Sequence, residues 1–212
     1  MKTLLVAAAP VAGSVDLVAR LAAESDFVIA VDGGGGVCFD AGVHPDVVLG
    51  DFDSLSPQAL DRLRAAGSRI VEFPADKNQT DLELALEVAR SHGAESVMVT
   101  AAASGRLDHT LGALGALAGA ADLRPELIEP SMNAYVLGET GRRDLDVGHV
   151  GATISLIAWG GSCSVTVSGV RWPLKSHPLS ADSGLGISNI VTADEAHVEI
   201  ESGRLLVILP EV

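Results

Sequence analysis

Aromatic and basic residues are both scarce in this chain of 212 residues. Aromatic side chains make up only 3%, which leaves few rings on which nucleic-acid bases could stack. The chain has 14 lysines and arginines against 28 aspartates and glutamates, a formal net charge of −14. Because such a negative field repels polyanions, we expect no binding to nucleic acid or to anionic membranes.

Cysteine pairs and long apolar runs are lacking as well. Cys38 and Cys163 stand alone, without a Cys-x-x-Cys motif, which is typical of reduced thiols in a cytoplasmic protein. No apolar run approaches the ~20 residues that cross a bilayer, so we expect no membrane span. Residues 3–12 resemble a short signal peptide, but we favour a buried strand over residues 2–8, because the next helix continues a strand–helix–strand series.

Apolar residues are abundant, at 48%, and up to residue 138 they alternate between strand-like and helix-like stretches. The predicted strands are 4–8, 27–31, 47–49, 69–73, 96–100 and 134–137, and the predicted helices are 15–24, 57–66, 81–92 and 107–121. Strands separated by helices predict a mostly parallel sheet with helices on both faces, a Rossmann-like α/β domain.

Beyond residue 138 the helical pattern stops. Residues 138–151 are polar and predict a connector, and short strand-like runs follow at 153–159, 164–167, 187–191, 197–201 and 205–209. Residues 201–204 have the pattern of a hairpin turn. Short strands without helices predict a small antiparallel β-sandwich, so we place one domain at 1–138 and a second at 139–212.

Two aspartates, Asp51 and Asp53, stand directly after the predicted strand 47–49. Side chains two residues apart in extended chain share a face, so both carboxylates can approach one divalent ion. Oxygen-only ligands with an open side favour Mg²⁺ shared with a phosphate-bearing substrate, and ligands of open α/β sheets bind at the carboxyl ends of strands. The alternative is a solvated turn.

Other polar segments follow neighbouring strands and are expected at the same edge of the sheet. Asp32 precedes the glycines 33–36, which can bring backbone N–H groups close to an anion or form a flexible turn. Thr80 and Glu83 have the spacing of a helix capping box. Asp81, in the first turn of that helix, suits the helix dipole and also stands where a metal-bound phosphate would meet a helix terminus.

Basic side chains accompany these segments. Lys77 and Arg106 stand where phosphate charge would need neutralising, and the alternative for each is an ordinary solvated charge. His109 can act as a general base or as a hydrogen-bond donor, or can be a helix residue with no chemical role.

Taken in order, these segments resemble the motifs of the thiamine pyrophosphokinase family. The resembling residues are 32–34, 50–54, 77 with 80–83, 105–109, 155–157, 169–174 and 186–189. The resemblance implies an N-terminal α/β catalytic domain that binds ATP and Mg²⁺, a C-terminal β-sandwich that binds thiamine, and a homodimer with active sites between subunits. The implied reaction is Mg²⁺-dependent transfer of the pyrophosphoryl group of ATP to thiamine, with release of AMP.

The resemblance also implies roles for individual residues. Asp51, Asp53 and Asp81 would form the catalytic centre and hold Mg²⁺ with the phosphates. We place the nucleotide at Asp32, Gly33, Gly34, Lys77, Thr80, Arg106, Asp108 and His109, and thiamine at Ser188 and Asn189.

Several positions depart from the family pattern. Asn78 stands where an acid is usual, and Ala101 and Ser104 replace glycines that usually precede the Gly-Arg-Leu-Asp-His motif. No tryptophan follows Asn189, although Trp172 is available, and its apolar neighbours predict a place in the core.

Two other functions fit the same residues. A Mg²⁺-dependent phosphohydrolase would use Asp51 as an aspartyl nucleophile. A catalytically weak homologue would bind thiamine or a nucleotide without turnover, as Asn78, Ala101 and Ser104 suggest. The exact acceptor, the nucleotide preference, the number of Mg²⁺ ions and the general base are left open by the sequence.

Overall fold

The structure of the protein, a computed structural model, describes residues 1–52, 57–74, 76, 78–138, 141–145 and 149–210. The chain divides into two compact units, Met1–Pro130 and Ser131–Val212. No helix in the described part of the chain is long and apolar enough to cross a membrane.

The first unit contains a parallel β-sheet. Its strands are β1 (Lys2–Val6), β2 (Phe27–Val31), β3 (Val47–Gly50), β4 (Arg69–Glu72), β5 (Ser96–Thr100) and β6 (Glu126–Glu129). They lie in the order β6-β5-β1-β2-β3-β4, and every pairing is parallel. The strand favoured over the signal-peptide interpretation is thus a central strand, paired with β2 and β5.

Helices cover both faces of this sheet, as predicted. They are α1 (Ser14–Ala23), α2 (Gly34–Asp40), α3 (Pro57–Ala65), α4 (Asp81–Ser91) and α5 (Leu107–Gly119), with a 3₁₀ turn at Ala121–Leu123. Apolar side chains of α1, α2 and α3 form one core with Leu4, Val28 and Val48 of the sheet. Helix α4 packs on the other face, against β2 and β3, and α5 packs beside α4. Such double coverage explains the continuous apolar runs of the strands.

Two elements of this unit are absent from the sequence prediction. Helix α2 includes glycines for which we expected a turn. The sequence did not predict this helix, because glycine is a poor helix former and the packing that stabilises the helix is not visible in a local pattern. Strand β6 is only four residues long and precedes Pro130, so no periodicity marks it.

The second unit is a sandwich of two antiparallel sheets. Its strands are β7 (Met132–Gly138), β8 (Gly141–Leu145), β9 (Thr153–Ala158), β10 (Cys163–Ser168), β11 (Leu174–Leu179), β12 (Asn189–Ile190), β13 (Ala196–Ser202) and β14 (Arg204–Pro210). One sheet has the order β12-β9-β14-β7 and the other β11-β10-β13-β8. Alternate side chains of both sheets are buried in a common core that includes Leu156, Val165, Ile200 and Val207. The predicted sandwich is confirmed.

Details of the second unit differ from the prediction. Strand β7 pairs with β14 along its whole length and belongs to this unit, so the division falls before residue 138. The predicted connector contains β8, and β11 was not predicted. The hairpin predicted at 201–204 is wrong: β13 and β14 lie in different sheets, and Gly203 forms a corner between them, with φ +81°.

Candidate functional site

The carboxyl edge of the parallel sheet holds strained backbone. Asp32 after β2, Phe52 after β3 and Ala101 after β5 all have left-handed φ angles, of 48°, 59° and 54°. Side chains with a Cβ rarely adopt this conformation, and such strain concentrates at functional sites. Three strands of the sheet, β2, β3 and β5, therefore end in unusual turns at the edge where ligands of α/β proteins bind.

The glycine segment packs tightly at this edge. A Cβ placed on Gly34 would lie 2.0 Å from the backbone oxygen of Val6, so only glycine allows the start of α2 to approach β1. Gly50 has φ +153°, and a Cβ there would lie 3.0 Å from Cα of Asp32. Asp32, Gly33 and Gly34 thus sit beside the ends of β1 and β3, as their position after β2 predicted.

A cavity of about 530 Å³ opens at the same edge. Its floor is made of small side chains from the loop after β1 (residues 7–9), from Ala101 and Ala102 after β5, and from Gly112 and Ala113 of α5. Its polar lining comes from four predicted site residues: Thr80, Asp81, Asp108 and His109. The structure therefore brings together the starts of α4 and α5, which are distant in sequence.

The start of α4 is held by the predicted capping box. The backbone N–H of Glu83 donates to Oγ1 of Thr80 at 3.3 Å, and the backbone N–H of Thr80 donates to Oε2 of Glu83 at 2.7 Å. The Thr80 hydroxyl also donates to that carboxylate, at 2.8 Å. The bonds of Thr80 are thus directed at Glu83, while half-buried Asp81 begins the helix and lines the cavity.

Arg106 and Asp108 form an ion pair at the rim. The guanidinium donates from Nη2 to Oδ2 at 2.6 Å and from Nε to Oδ1 at 3.3 Å, with about two thirds of each side chain exposed (67% and 65%). The hydrogen bond from Arg106 lowers the pKa of Asp108, and the same contact raises the pKa of Arg106 above its usual range. Both groups therefore stay charged at neutral pH.

The carboxylates expected to hold Mg²⁺ are only partly within the described residues. Asp51 follows β3 at the carboxyl edge, half-buried, and Asp81 lines the cavity, whereas Asp53 and Lys77 lie outside the described residues. Among the residues that are described, no group of three or more histidines, cysteines, aspartates or glutamates is placed to hold a metal ion. The donors that are seen, carboxylate oxygens only, are of the type that Mg²⁺ prefers.

In the second unit, Asn189 supports the backbone of its neighbours. Its side chain is 6% exposed; Oδ1 accepts N–H groups of Trp172 at 3.1 Å and Ile190 at 2.9 Å, and Nδ2 donates to the Trp172 carbonyl at 2.8 Å. Ser188 is exposed, has φ 58°, and donates its backbone N–H to Ser155 Oγ at 3.0 Å. Asn189 thus holds the segment that carries Trp172.

The prediction of a core position for Trp172 is wrong. Its side chain is 56% exposed, and the guanidinium of Arg171 lies 5.5 Å from the centre of its ring. The apolar neighbours that suggested burial do not enclose it, because Asn189 holds this segment by its backbone and leaves the ring on the surface.

Sequence reasoning missed Glu129, the last residue of β6. Its carboxylate is 3% exposed and accepts the backbone N–H groups of Ala102 and Ala103, which follow β5. The available signal was an acid at the end of the short apolar run Leu127-Ile128, the same pattern that drew attention to Asp51.

Comparisons with known proteins agree with this arrangement. The family described as the catalytic domain of thiamin pyrophosphokinase matches residues 18–129, and its vitamin B1 binding domain matches residues 143–207. The thiamine pyrophosphokinase of Bacillus subtilis (strain 168) is 29% identical over 188 residues, 87% of each chain. Thiamine pyrophosphokinase 1 of Oryza sativa subsp. japonica is 28% identical over 167 residues, 74% of this chain and 63% of that protein. A crystal structure of the thiamine pyrophosphokinase from B. subtilis matches with a TM-score of 0.84 and 27% identity over 100% of both chains.

Proposed function

This chain belongs to the thiamine pyrophosphokinase family, and from that premise we propose that it transfers the pyrophosphoryl group of ATP to thiamine, giving thiamine diphosphate and AMP. The observation that carries the proposal is the cavity at the carboxyl edge of the sheet, which collects Thr80, Asp81, Asp108 and His109. The comparisons give no support to a phosphohydrolase or to a catalytically weak binder.

ATP would enter this cavity. A volume of about 530 Å³ suits a nucleotide-sized ligand, and the floor of small apolar side chains leaves room for a flat heterocycle. The polar lining from the starts of α4 and α5 would face the phosphates, where helix N-termini favour negative charge. Asp32, Gly33 and Gly34, beside the end of β1, would complete the nucleotide side.

Mg²⁺ would be held by Asp51, Asp53 and Asp81. When bound, it would neutralise phosphate charge and orient the transferred group. Phosphoryl-type transfer needs positioning more than covalent chemistry from the protein, so the main task of these carboxylates is to place the reacting groups.

Arg106 would steady the charge of the phosphates. Its guanidinium matches a phosphate by two parallel hydrogen bonds, as it now matches Asp108. Because exposed ion pairs contribute little to stability, exchange of Asp108 for a phosphate costs little. Lys77 would assist from the segment before α4.

Thiamine would bind to the second unit, at Ser188 and Asn189. Asn189 would act through the backbone of Trp172, and the exposed indole offers an aromatic face for the cationic heterocycle of thiamine. The net charge of −14 would favour capture of a cation. We also propose that the protein is cytoplasmic and a homodimer; light scattering of the purified protein would test the homodimer, and cell fractionation the location.

The direct test is to incubate the protein with ATP, Mg²⁺ and thiamine and to quantify AMP and thiamine diphosphate by mass spectrometry. We expect equal amounts of both products, dependence on thiamine, and loss of turnover with EDTA. Asp53→Ala should abolish the reaction, and Asp61→Ala, an exposed aspartate of α3, should preserve it.

Other outcomes would identify the alternatives. Release of phosphate without thiamine, with phosphate trapped on Asp51, would indicate a hydrolase. Tight binding of thiamine or ATP without any AMP would indicate a non-catalytic binder.

A further inference from the structure

Glu129 is a buried acid that is held by backbone rather than by a cation. Its Oε1 accepts the N–H groups of Ala102 at 2.8 Å and Ala103 at 2.9 Å. Within the described residues its other oxygen, Oε2, is buried without a hydrogen-bond partner, and burial raises the pKa of Glu129 while the backbone hydrogen bonds oppose the rise. Burying a carboxylate is unfavourable unless several donors satisfy it, and successive N–H groups of a loop form such an anion-binding concavity.

The loop that Glu129 holds forms part of the cavity wall. Ala101 and Ala102 line the cavity, and Ala101 is fully buried in a left-handed conformation with φ 54°. The carbonyl of Ala101 accepts the N–H of Ala9 at 2.8 Å, which ties the loop after β1 to the same wall. Glu129 therefore acts directly on the part of this wall that follows β5, and through Ala101 on the part that follows β1.

The same loop continues to the polar rim. The N–H of Ser104 donates to Oγ1 of Thr110 at 3.1 Å, and the N–H of Arg106 donates to Oγ of Ser104 at 3.1 Å. Arg106 in turn pairs with Asp108, which lines the cavity. Hydrogen bonds thus fix this loop at several successive points between the end of β5 and the start of α5.

We propose that Glu129 is a positioning residue for nucleotide binding: by fixing residues 101–103 it shapes the cavity wall and places Arg106 and Asp108. The proposal rests on the function proposed above for this cavity. Glu129 does not line the cavity, so it acts through the loop backbone and its effect should fall on the nucleotide and leave thiamine binding unchanged. Glutamine keeps an oxygen that can accept the two N–H groups, but its NH2 takes the place of the buried Oε2, so it should retain most of the effect rather than all of it.

The test compares Glu129→Ala and Glu129→Gln with Asp46→Ala. Asp46 provides the matched control, because its carboxylate also accepts a backbone N–H, that of Val28 at 2.8 Å, but at the opposite edge of the sheet. Binding of Mg²⁺ with α,β-methylene-ATP, an analogue that resists cleavage between the α- and β-phosphates, is measured by calorimetry. Hydrogen exchange of the Ala102 and Ala103 amides and the KM values for both substrates are measured in parallel.

Glu129→Ala should weaken analogue binding and raise the KM for ATP by about tenfold or more, since small displacements of a binding wall have large effects. Its KM for thiamine should stay within about twofold of the wild-type value, because the substitution disturbs contacts with ATP and none of the residues proposed to bind thiamine. Exchange of the Ala102 and Ala103 amides should accelerate. Asp46→Ala should bind the analogue like the wild type, and Glu129→Gln should recover most of the binding that Glu129→Ala loses.

The proposal is overturned if folded Glu129→Ala binds the analogue as tightly as the wild type, or if Glu129→Gln is as impaired as Glu129→Ala. Should Glu129→Ala fail to fold, Glu129→Asp, which shortens the side chain by one methylene, decides by the same measurements. A wild-type protein that makes no AMP would refute the proposed function, whereas analogue binding and amide exchange would still judge the role of Glu129.

Discussion

The two edges of the parallel sheet in the first unit are built in different ways. At the amino edge, side chains fasten loops to neighbouring strands: Asp46 accepts the N–H of Val28 at 2.8 Å, and the hydroxyl of Ser68 donates to the carbonyl of Pro45 at 2.6 Å. These bonds satisfy backbone groups where strands begin.

At the carboxyl edge, the chain instead accepts left-handed backbone at Asp32, Phe52 and Ala101, and a cavity opens beside them. Side-chain hydrogen bonds fasten loops at both edges, since Glu129 holds Ala102 and Ala103, but the carboxyl edge in addition keeps left-handed backbone and open volume. Strain that persists in a fold must be supported by the rest of the structure. We infer that changes at the amino edge act on stability alone, and that changes at the carboxyl edge act on stability, on the reaction or on both.

The largest effect is expected at Gly34, where α2 approaches β1. Gly34→Ala should lower the free energy of unfolding by about 3 kcal/mol or more, because the new Cβ would overlap the backbone of Val6, which cannot move aside as a side chain can. Gly36 has open space around its Cβ position, so Gly36→Ala in the same helix should stabilise the protein by up to about 1 kcal/mol. Urea unfolding measures both, and equal effects would contradict the close approach.

Next in size is the effect of Asp81 on turnover. Asp81→Asn should lower kcat/KM for AMP formation by about 100-fold or more, because it removes a carboxylate proposed to hold Mg²⁺. Asp16→Asn changes an acid that also lies in the first turn of a helix, as the third residue of α1, and should leave turnover intact. Coupled assays of AMP formation give both values of kcat/KM. If Asp16→Asn lowered kcat/KM as much as Asp81→Asn does, the loss would be ascribed to the helix dipole and not to Mg²⁺ binding by Asp81.

A smaller effect, on stability alone, is expected from the amino edge. Asp46→Ala should lower the free energy of unfolding by about 1 kcal/mol, the usual contribution of one hydrogen bond. Turnover at temperatures where the protein stays folded should not change. A tenfold fall in kcat/KM, roughly 1.4 kcal/mol in the barrier, would show that the two edges are not independent.

The smallest effect is expected from relief of strain after β5. Ala101→Gly should raise the free energy of unfolding by about 0.5–1 kcal/mol, since the left-handed conformation is unfavourable for alanine and the extra freedom of glycine offsets part of the gain. Ala103 does not have a positive φ, so Ala103→Gly should lower stability by a similar amount. Thermal unfolding measures both changes in stability, and a change of the same sign for Ala101→Gly and Ala103→Gly would contradict this explanation.

Much of this architecture is encoded in short stretches of sequence. Short continuous apolar runs predicted the strands β1, β2, β3 and β5, and apolar residues at helical spacing predicted the helices α4 and α5. Each of these patterns lies within a single element, so it can be read from the sequence. The capping box at Thr80 and Glu83 was readable for the same reason: both partners lie within one helical turn. The meeting of Thr80, Asp81, Asp108 and His109 followed from the rule that parallel strands end at a common edge.

Other features depend on partners that a local pattern does not contain. Ala103 and Glu129 are 26 positions apart in sequence, so no local pattern shows their hydrogen bond, and the strand that carries Glu129 is too short to show a period. Trp172 looked buried from its neighbours, yet Asn189, 17 residues away, holds its backbone and leaves its ring exposed. The prediction that Asp51, Asp53 and Asp81 converge on one ion is still untested, since Asp53 lies outside the described residues.

Residue order alone was therefore enough to establish the α/β and β-sandwich architecture, the edge at which the site lies and the family resemblance, because periodicity, caps and motifs act over a few residues. Folding in three dimensions decided which polar groups bind backbone and which face the cavity. The sequence does not show whether a carboxylate or an amide binds a loop or faces a cavity. The tertiary structure does: Glu129 and Asn189 bind backbone groups, whereas Asp81 lines the cavity.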